Sequence, residues 1–121
     1  LILGLPHETR EMMSASVQAI ANLPVWGIKL QLLHVLSGTD LAAYYEKTHF
    51  PVFSMDEYCE MIIDCLELLP PEMVIHRITG DGPKDLLIAP MWSTGKRTVL
   101  NQIHCRLKER NTYQGRLATK R

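Results

Sequence analysis

Leu1-Ile2-Leu3-Gly4-Leu5-Pro6-His7-Glu8-Thr9 decides how the rest of the chain is read. A short apolar run meets Gly-x-Pro and passes at once into a helical pattern. That order describes a buried strand, a sharp turn and a helix start. In open α/β sheets and in β/α barrels, ligands bind at such corners, outside the carboxyl ends of the strands. The residues begin inside the strand, so the chain is expected to be a piece of a longer protein.

Outward from that corner, the apolar spacing alternates between two periods. Met13, Val17, Ile20 and Ala21 form one stripe of a helix over residues 8–22. Glu8 and Glu11 favour its positive end, and Leu23-Pro24 stops it. From Gly27 to Val35 the chain reads as a strand: Ile28, Leu30 and Leu32 alternate with Lys29 and Gln31, and the run then becomes continuously apolar. Thr39 or Asp40 caps a short helix through Lys47. Ser54-Met55-Asp56-Glu57 has the form of a capping box. Tyr58, Met61, Ile62, Cys65, Leu66 and Leu69 follow at helical spacing up to Pro70-Pro71. Met73 to Thr79 is a third strand, closed by Gly80-Asp81-Gly82-Pro83. Leu86 to Trp92 is a fourth strand or a packed connector. A last helix from Ser93 or Thr94 to Glu109 turns Val99, Leu100, Ile103 and Leu107 inward.

Alternation of this kind calls for parallel strands joined by right-handed crossovers. The predicted class is α/β, with three or four parallel strands and flanking helices, too few to close a barrel of eight. Residues 1–110 form this body, and residues 111–121 a flexible basic tail.

Composition narrows the function classes. A hydrophobic share of 46% is that of a globular fold, and the zero formal net charge argues against a general attraction to nucleic acid or anionic membranes. The zero hides an asymmetry: Arg106, Lys108, Arg110, Arg116, Lys120 and Arg121 stand against Glu109 alone, so residues 106–121 carry +5 and the rest −5. That stretch is either a solvated helix end or an arm that contacts phosphates. No apolar run approaches the roughly 18 residues of a membrane span. Cys59, Cys65 and Cys105 lack CxxC spacing and read as reduced core thiols, in keeping with a cytoplasmic setting.

The three strand ends fall on one edge of a parallel sheet and gather His7, Glu8, His34, Arg77 and Asp81 there. Glycines at 4, 38, 80 and 82 allow close approach to the backbone. The five histidines are dispersed, with no metal-ligand spacing. Arg77 is a candidate contact for a carboxylate or phosphate. Gly95-Lys96 is not a P-loop, because Pro90 stands where its first glycine belongs and Arg97 where Ser or Thr belongs.

Four stretches together carry a resemblance. Residues 1–9, Leu32-Leu33-His34-Val35-Leu36-Ser37-Gly38-Thr39, the run from Pro71 to Asp81, and Asp85-Leu86-Leu87-Ile88-Ala89-Pro90 resemble the radical S-adenosylmethionine (SAM) superfamily. Within it they are most similar to a subgroup of Fe–S oxidoreductases, distant relatives of the Elongator catalytic subunit and of oxygen-independent coproporphyrinogen oxidase. The resemblance implies a partial TIM barrel, of which this chain would be the C-terminal β/α units. It implies SAM and a 4Fe-4S cluster in the parent protein. The cluster-binding cysteine motif is missing here, so none is expected on this fragment, which would be inactive alone. It also implies that Gly4, Leu5 and Pro6, with the backbone of Leu33, His34 and Val35, line the SAM pocket, and that His34, Arg77 and Asp81 face the substrate. His7 departs from the family, which usually has glycine before Glu-Thr.

Two other readings stand beside it: an RNA-binding or tRNA-modification module using the basic tail, and an ordinary α/β hydrolase or isomerase pairing His34 or His76 with Asp81. The expected partners are the rest of the parent chain and a small-molecule or tRNA substrate, with no membrane. Uncovered sheet edges invite pairing between copies. The isolated chain is therefore expected to form a homo-oligomer in light scattering, and a clean monomer at high concentration would contradict this.

Overall fold

The computed structural model describes residues 1–80 and 82–118. Its centre is one extended segment, β2 (Gly27–Lys29) and β3 (Gln31–Leu32), with Leu30 between them. This segment receives β1 (Ile2–Leu3) beside β3 and β5 (Val74–Arg77) beside β2, both in parallel. Backbone N–H groups point alternately to the two neighbours. Gln31 donates to Leu1 O and Leu33 to Leu3 O, each at 2.9 Å, whereas Leu30 donates to Arg77 O at 2.8 Å. The predicted alternation holds: Ile28, Leu30 and Leu32 are buried, while Lys29 is exposed.

On the apolar face lie α1 (Arg10–Ala21), α3 (Met55–Leu68) and α4 (Lys96–Glu109). Helix α3 packs against both others and supplies Tyr58, Met61, Ile62 and Cys65 to the core, each fully buried. Val99 and Ile103 close the core from α4, as expected, and Leu107 packs at its margin. The expected caps hold at Thr39, which accepts from Ala42 N, and at Ser54 and Glu57, which form the complete capping box; Thr9 caps α1 by accepting from Met12 N.

The fourth strand differs from expectation. β6 (Leu87–Ala89) pairs antiparallel with β4 (Val35–Leu36). Parallel pairing needs a crossover of a dozen or more residues, usually a helix. Among the described residues between Arg77 and Leu87 there is a short 3₁₀ segment and no crossover helix, in keeping with a return in the opposite direction. With α2 (Asp40–Thr48), the β4–β6 ribbon builds a second, smaller core around Leu33, Val35, Ala42, Phe50 and Ala89. The molecule is thus a mixed α/β fold with short parallel pairs and one antiparallel ribbon.

The expected tail, residues 111–121, does not trail away over its described part. Gly115 N donates to Leu66 O at 2.9 Å, Leu117 N to Glu67 O at 2.8 Å, and Gln114 Nε2 to the carbonyls of Pro70 and Met73. The anchor is Glu67, 3% exposed, which accepts from the Thr112 hydroxyl and from Arg116 Nε. Glu67 also ends an acidic stripe on α3. Arg106 reaches Asp56 and Glu60 at 2.5 and 2.6 Å, Arg110 reaches Glu60 at 2.7 Å, and Arg10 pairs with Asp64.

The Thr112 hydroxyl and the Arg116 and Arg110 guanidiniums hold the Glu67 carboxyl below its ordinary 4.5, against the opposing effect of burial. A depressed folded-state value stabilises the fold above the unfolded value, and that contribution disappears as pH falls through the folded one. Glu67→Gln should therefore flatten the acid side of a stability–pH curve. Glu67→Ala should cost about 1–2 kcal/mol in denaturant titration, since it removes the hydrogen bonds from Thr112 and Arg116 that hold the C-terminal segment.

Candidate functional site

The parallel pairing puts the carboxyl ends of β1, β3 and β5 on one edge, and side-chain contacts tie them together. Gly4 has φ +93°, a left-handed conformation that glycine adopts without strain. A Cβ there would lie 3.0 Å from the Phe53 ring and 3.9 Å from Leu33 Cβ. The His34 ring fills the space beside two further glycines. A Cβ on Gly80 would meet it at 2.3 Å, and one on Gly82 at 2.9 Å. The first end therefore touches the second, and the second touches the third.

A cavity of about 400 Å³ opens at the first corner. Gly4, Leu5, His7 and Glu8 form one wall, and the α2–α3 connector forms the other with Phe50 and Phe53. The connector is pinned from behind: Trp92 Nε1 donates to Phe53 O at 2.8 Å, and Phe53 packs on the buried Tyr58 ring. The corner is held by Glu8 N donating to Leu5 O at 3.0 Å. Glu8 Oε1 is buried and has no hydrogen-bond partner among the described residues. A glycine corner, two aromatic side chains and one buried carboxylate oxygen suit a flat heteroaromatic ligand bearing donor groups.

The expected site residues separate into three places. Gly4 and Leu5 line the cavity, and Pro6 lies in the turn between Leu5 and His7. Leu33 and Val35 are buried in the second core, so their side chains pack and only their backbone remains for a ligand. His34 stands against Gly80 and Gly82. Arg77 lines a different groove, of about 480 Å³, with Leu100, Ile103 and His104 of α4. Asp81 lies outside the described residues. Phe50 and Phe53 were not legible as site residues, because the connector 49–53 is too short for any periodicity to show.

The other readings meet the same geometry. Arg106, Arg110 and Arg116 are engaged with α3 carboxylates, which reduces what a phosphate-contacting arm would have available. His76 lies over Gly27, at the start of β2 and away from the strand ends that His34 joins. An iron–sulfur cluster does not fit the cysteines. Burial pushes the Cys59 thiol up and the Cys65 thiol to about 12, opposite to what thiolate ligation needs, and Cys105 is exposed on α4. Among the described residues, no group of three or more His, Cys, Asp or Glu is placed to hold a metal ion.

Gly4 and Gly38 supply an internal comparison. Both have positive φ, but a Cβ on Gly38 meets nothing within 4 Å. Gly38→Ala should lose about 1–2 kcal/mol from backbone strain alone. Gly4→Ala should lose more, because it also displaces Phe53. Equal midpoints in denaturant titration would show that Phe53 does not seal the corner.

Known proteins converge on one family. The Radical SAM C-terminal domain model matches residues 25–109. Protein YtqA of Bacillus subtilis is 49% identical over 116 residues, which are 96% of this chain and 36% of that protein. A protein of Methanocaldococcus jannaschii is 31% identical over 95% of this chain and 36% of its own length. The chain thus spans about a third of the curated relatives it matches. In three dimensions it is similar to the archaeal Methanocaldococcus infernus Elp3 with an N-terminal deletion. The TM-score is 0.74 at 17% identity, over 94% of this chain and 27% of that one, a likeness of fold. With that model covering most of its length, the chain belongs to the radical SAM superfamily, as an example of its C-terminal domain.

Proposed function

We propose that this chain is the C-terminal part of a cytoplasmic radical SAM Fe–S oxidoreductase and supplies one side of its SAM pocket and part of its substrate wall. The observation that carries the reading is the cavity at the Gly4 corner, on the carboxyl edge of the strands. In the parent, SAM and a 4Fe-4S cluster held elsewhere would supply a 5′-deoxyadenosyl radical. The chain's own residues hold and shape. Gly4, Leu5 and Pro6 present backbone and small surfaces to the adenosine side. The backbone from Leu33 to Val35 forms the adjoining rim. Phe50 and Phe53 exclude water from that wall.

Among the described residues the substrate wall on this chain reduces to His34, which stands against Gly80 and Gly82, since Arg77 opens onto the α4 side. The incomplete set of strands is in keeping with the C-terminal β/α units of a partial barrel completed by the rest of the parent. No helix among the described residues is long and apolar enough to cross a membrane. Without cluster ligands, the fragment alone is inactive.

The test is made on the full-length parent, reconstituted anaerobically with iron and sulfide. Cluster absorbance and reductant-dependent release of 5′-deoxyadenosine are expected. Absence of both would overturn the reading.

A further inference from the structure

His7 has the left-handed backbone that glycine adopts most readily. Its φ is +66°, in the left-handed region that costs a residue with a side chain about 1 kcal/mol. The side chain leaves the corner and reaches α2, where His7 Nε2 and Tyr44 Oη lie 2.9 Å apart within one hydrogen bond. The Tyr44 ring in turn stacks on Phe50, with centroids 5.7 Å apart and planes 29° apart. Phe50 is buried and lines the same cavity as His7. One short chain of contacts, His7–Tyr44–Phe50, therefore joins the two walls from outside.

We infer that His7 is a positioning residue, clasping the β1–α1 corner to α2 through Tyr44 and so fixing the width of the cavity mouth. The inference rests on the reading that this cavity takes the adenosine part of SAM. Histidine adopts this left-handed backbone more readily than most residues with a side chain. Both side chains are exposed, so the contact contributes little to global stability; its effect is on the spacing of the walls.

The experiment measures binding of S-adenosylhomocysteine, which is unreactive and carries the same nucleoside, to the full-length parent by calorimetry. Tyr44→Phe keeps the stacking and loses the hydroxyl; His7→Gly relieves the strain and loses the imidazole. Each should weaken binding about threefold to tenfold, the worth of one hydrogen bond, with the melting temperature nearly unchanged. The double variant should bind no worse than either single one, because both remove the same contact. Wild-type affinity in the single variants, or effects that multiply in the double, would overturn the clasp and leave the SAM reading standing. A wild-type parent with no affinity for the probe would overturn the SAM reading, and the clasp's role with it.

Discussion

Parallel pairing on both sides of the segment from Gly27 to Leu32 is the constraint on which the rest depends. That segment gives its odd-numbered N–H groups at Gln31 and Leu33 to β1, and the N–H of Leu30 to β5. Once both neighbours run the same way, all three strands must end on one edge. Each return to the start of the next strand must then cross on the apolar face, which is where α1 and α3 lie. The shared edge, with its three loops, follows from the hydrogen-bond pattern before any side chain in those loops is considered.

Helix α3 transmits this order to the periphery. Its inner face carries the core, and its cap at Ser54 fixes the end of the connector that walls the cavity. Its outer stripe of Asp56, Glu60, Asp64 and Glu67 gathers arginines from α1, α4 and the C-terminal segment. Most of these pairs are exposed and individually contribute little. Glu67 is the exception because it is buried, and it binds residues 112–118 to the fold. The charge asymmetry of the sequence thus has an internal use: much of the surplus on residues 106–118 meets the surplus of opposite sign on α3.

What was legible in the sequence was what depends on local chemistry. Thr39 and the Ser54–Glu57 box announced two helix starts, and the alternation at Ile28, Leu30 and Leu32 announced the central strand and its buried face. What was hidden depended on partners distant in sequence. The antiparallel direction of β6 is set by the lack of a crossover after β5, and apolar Leu87-Ile88-Ala89 looks the same in either direction. The return of residues 112–118 depends on Glu67, 45 residues away from Thr112. Of the expected site, the Gly4 corner was readable because glycine before Leu-Pro has few other uses. The groove that Arg77 lines with α4 was not legible, because it depends on how a helix about 25 residues further along the chain packs against β5. The contact of His7 with Tyr44 was hidden as well, since the two residues lie 37 apart in sequence.

The wall role assigned to the Gly4 corner is open to a direct chemical map. A photoreactive azido-adenine analogue of SAM, bound to the reconstituted full-length parent and activated by light, would mark the peptides that line the nucleoside site. Label on residues 1–10, 33–35 or 50–53, competed away by unmodified SAM, is the result expected. Specific label found only in other parts of the parent would contradict it.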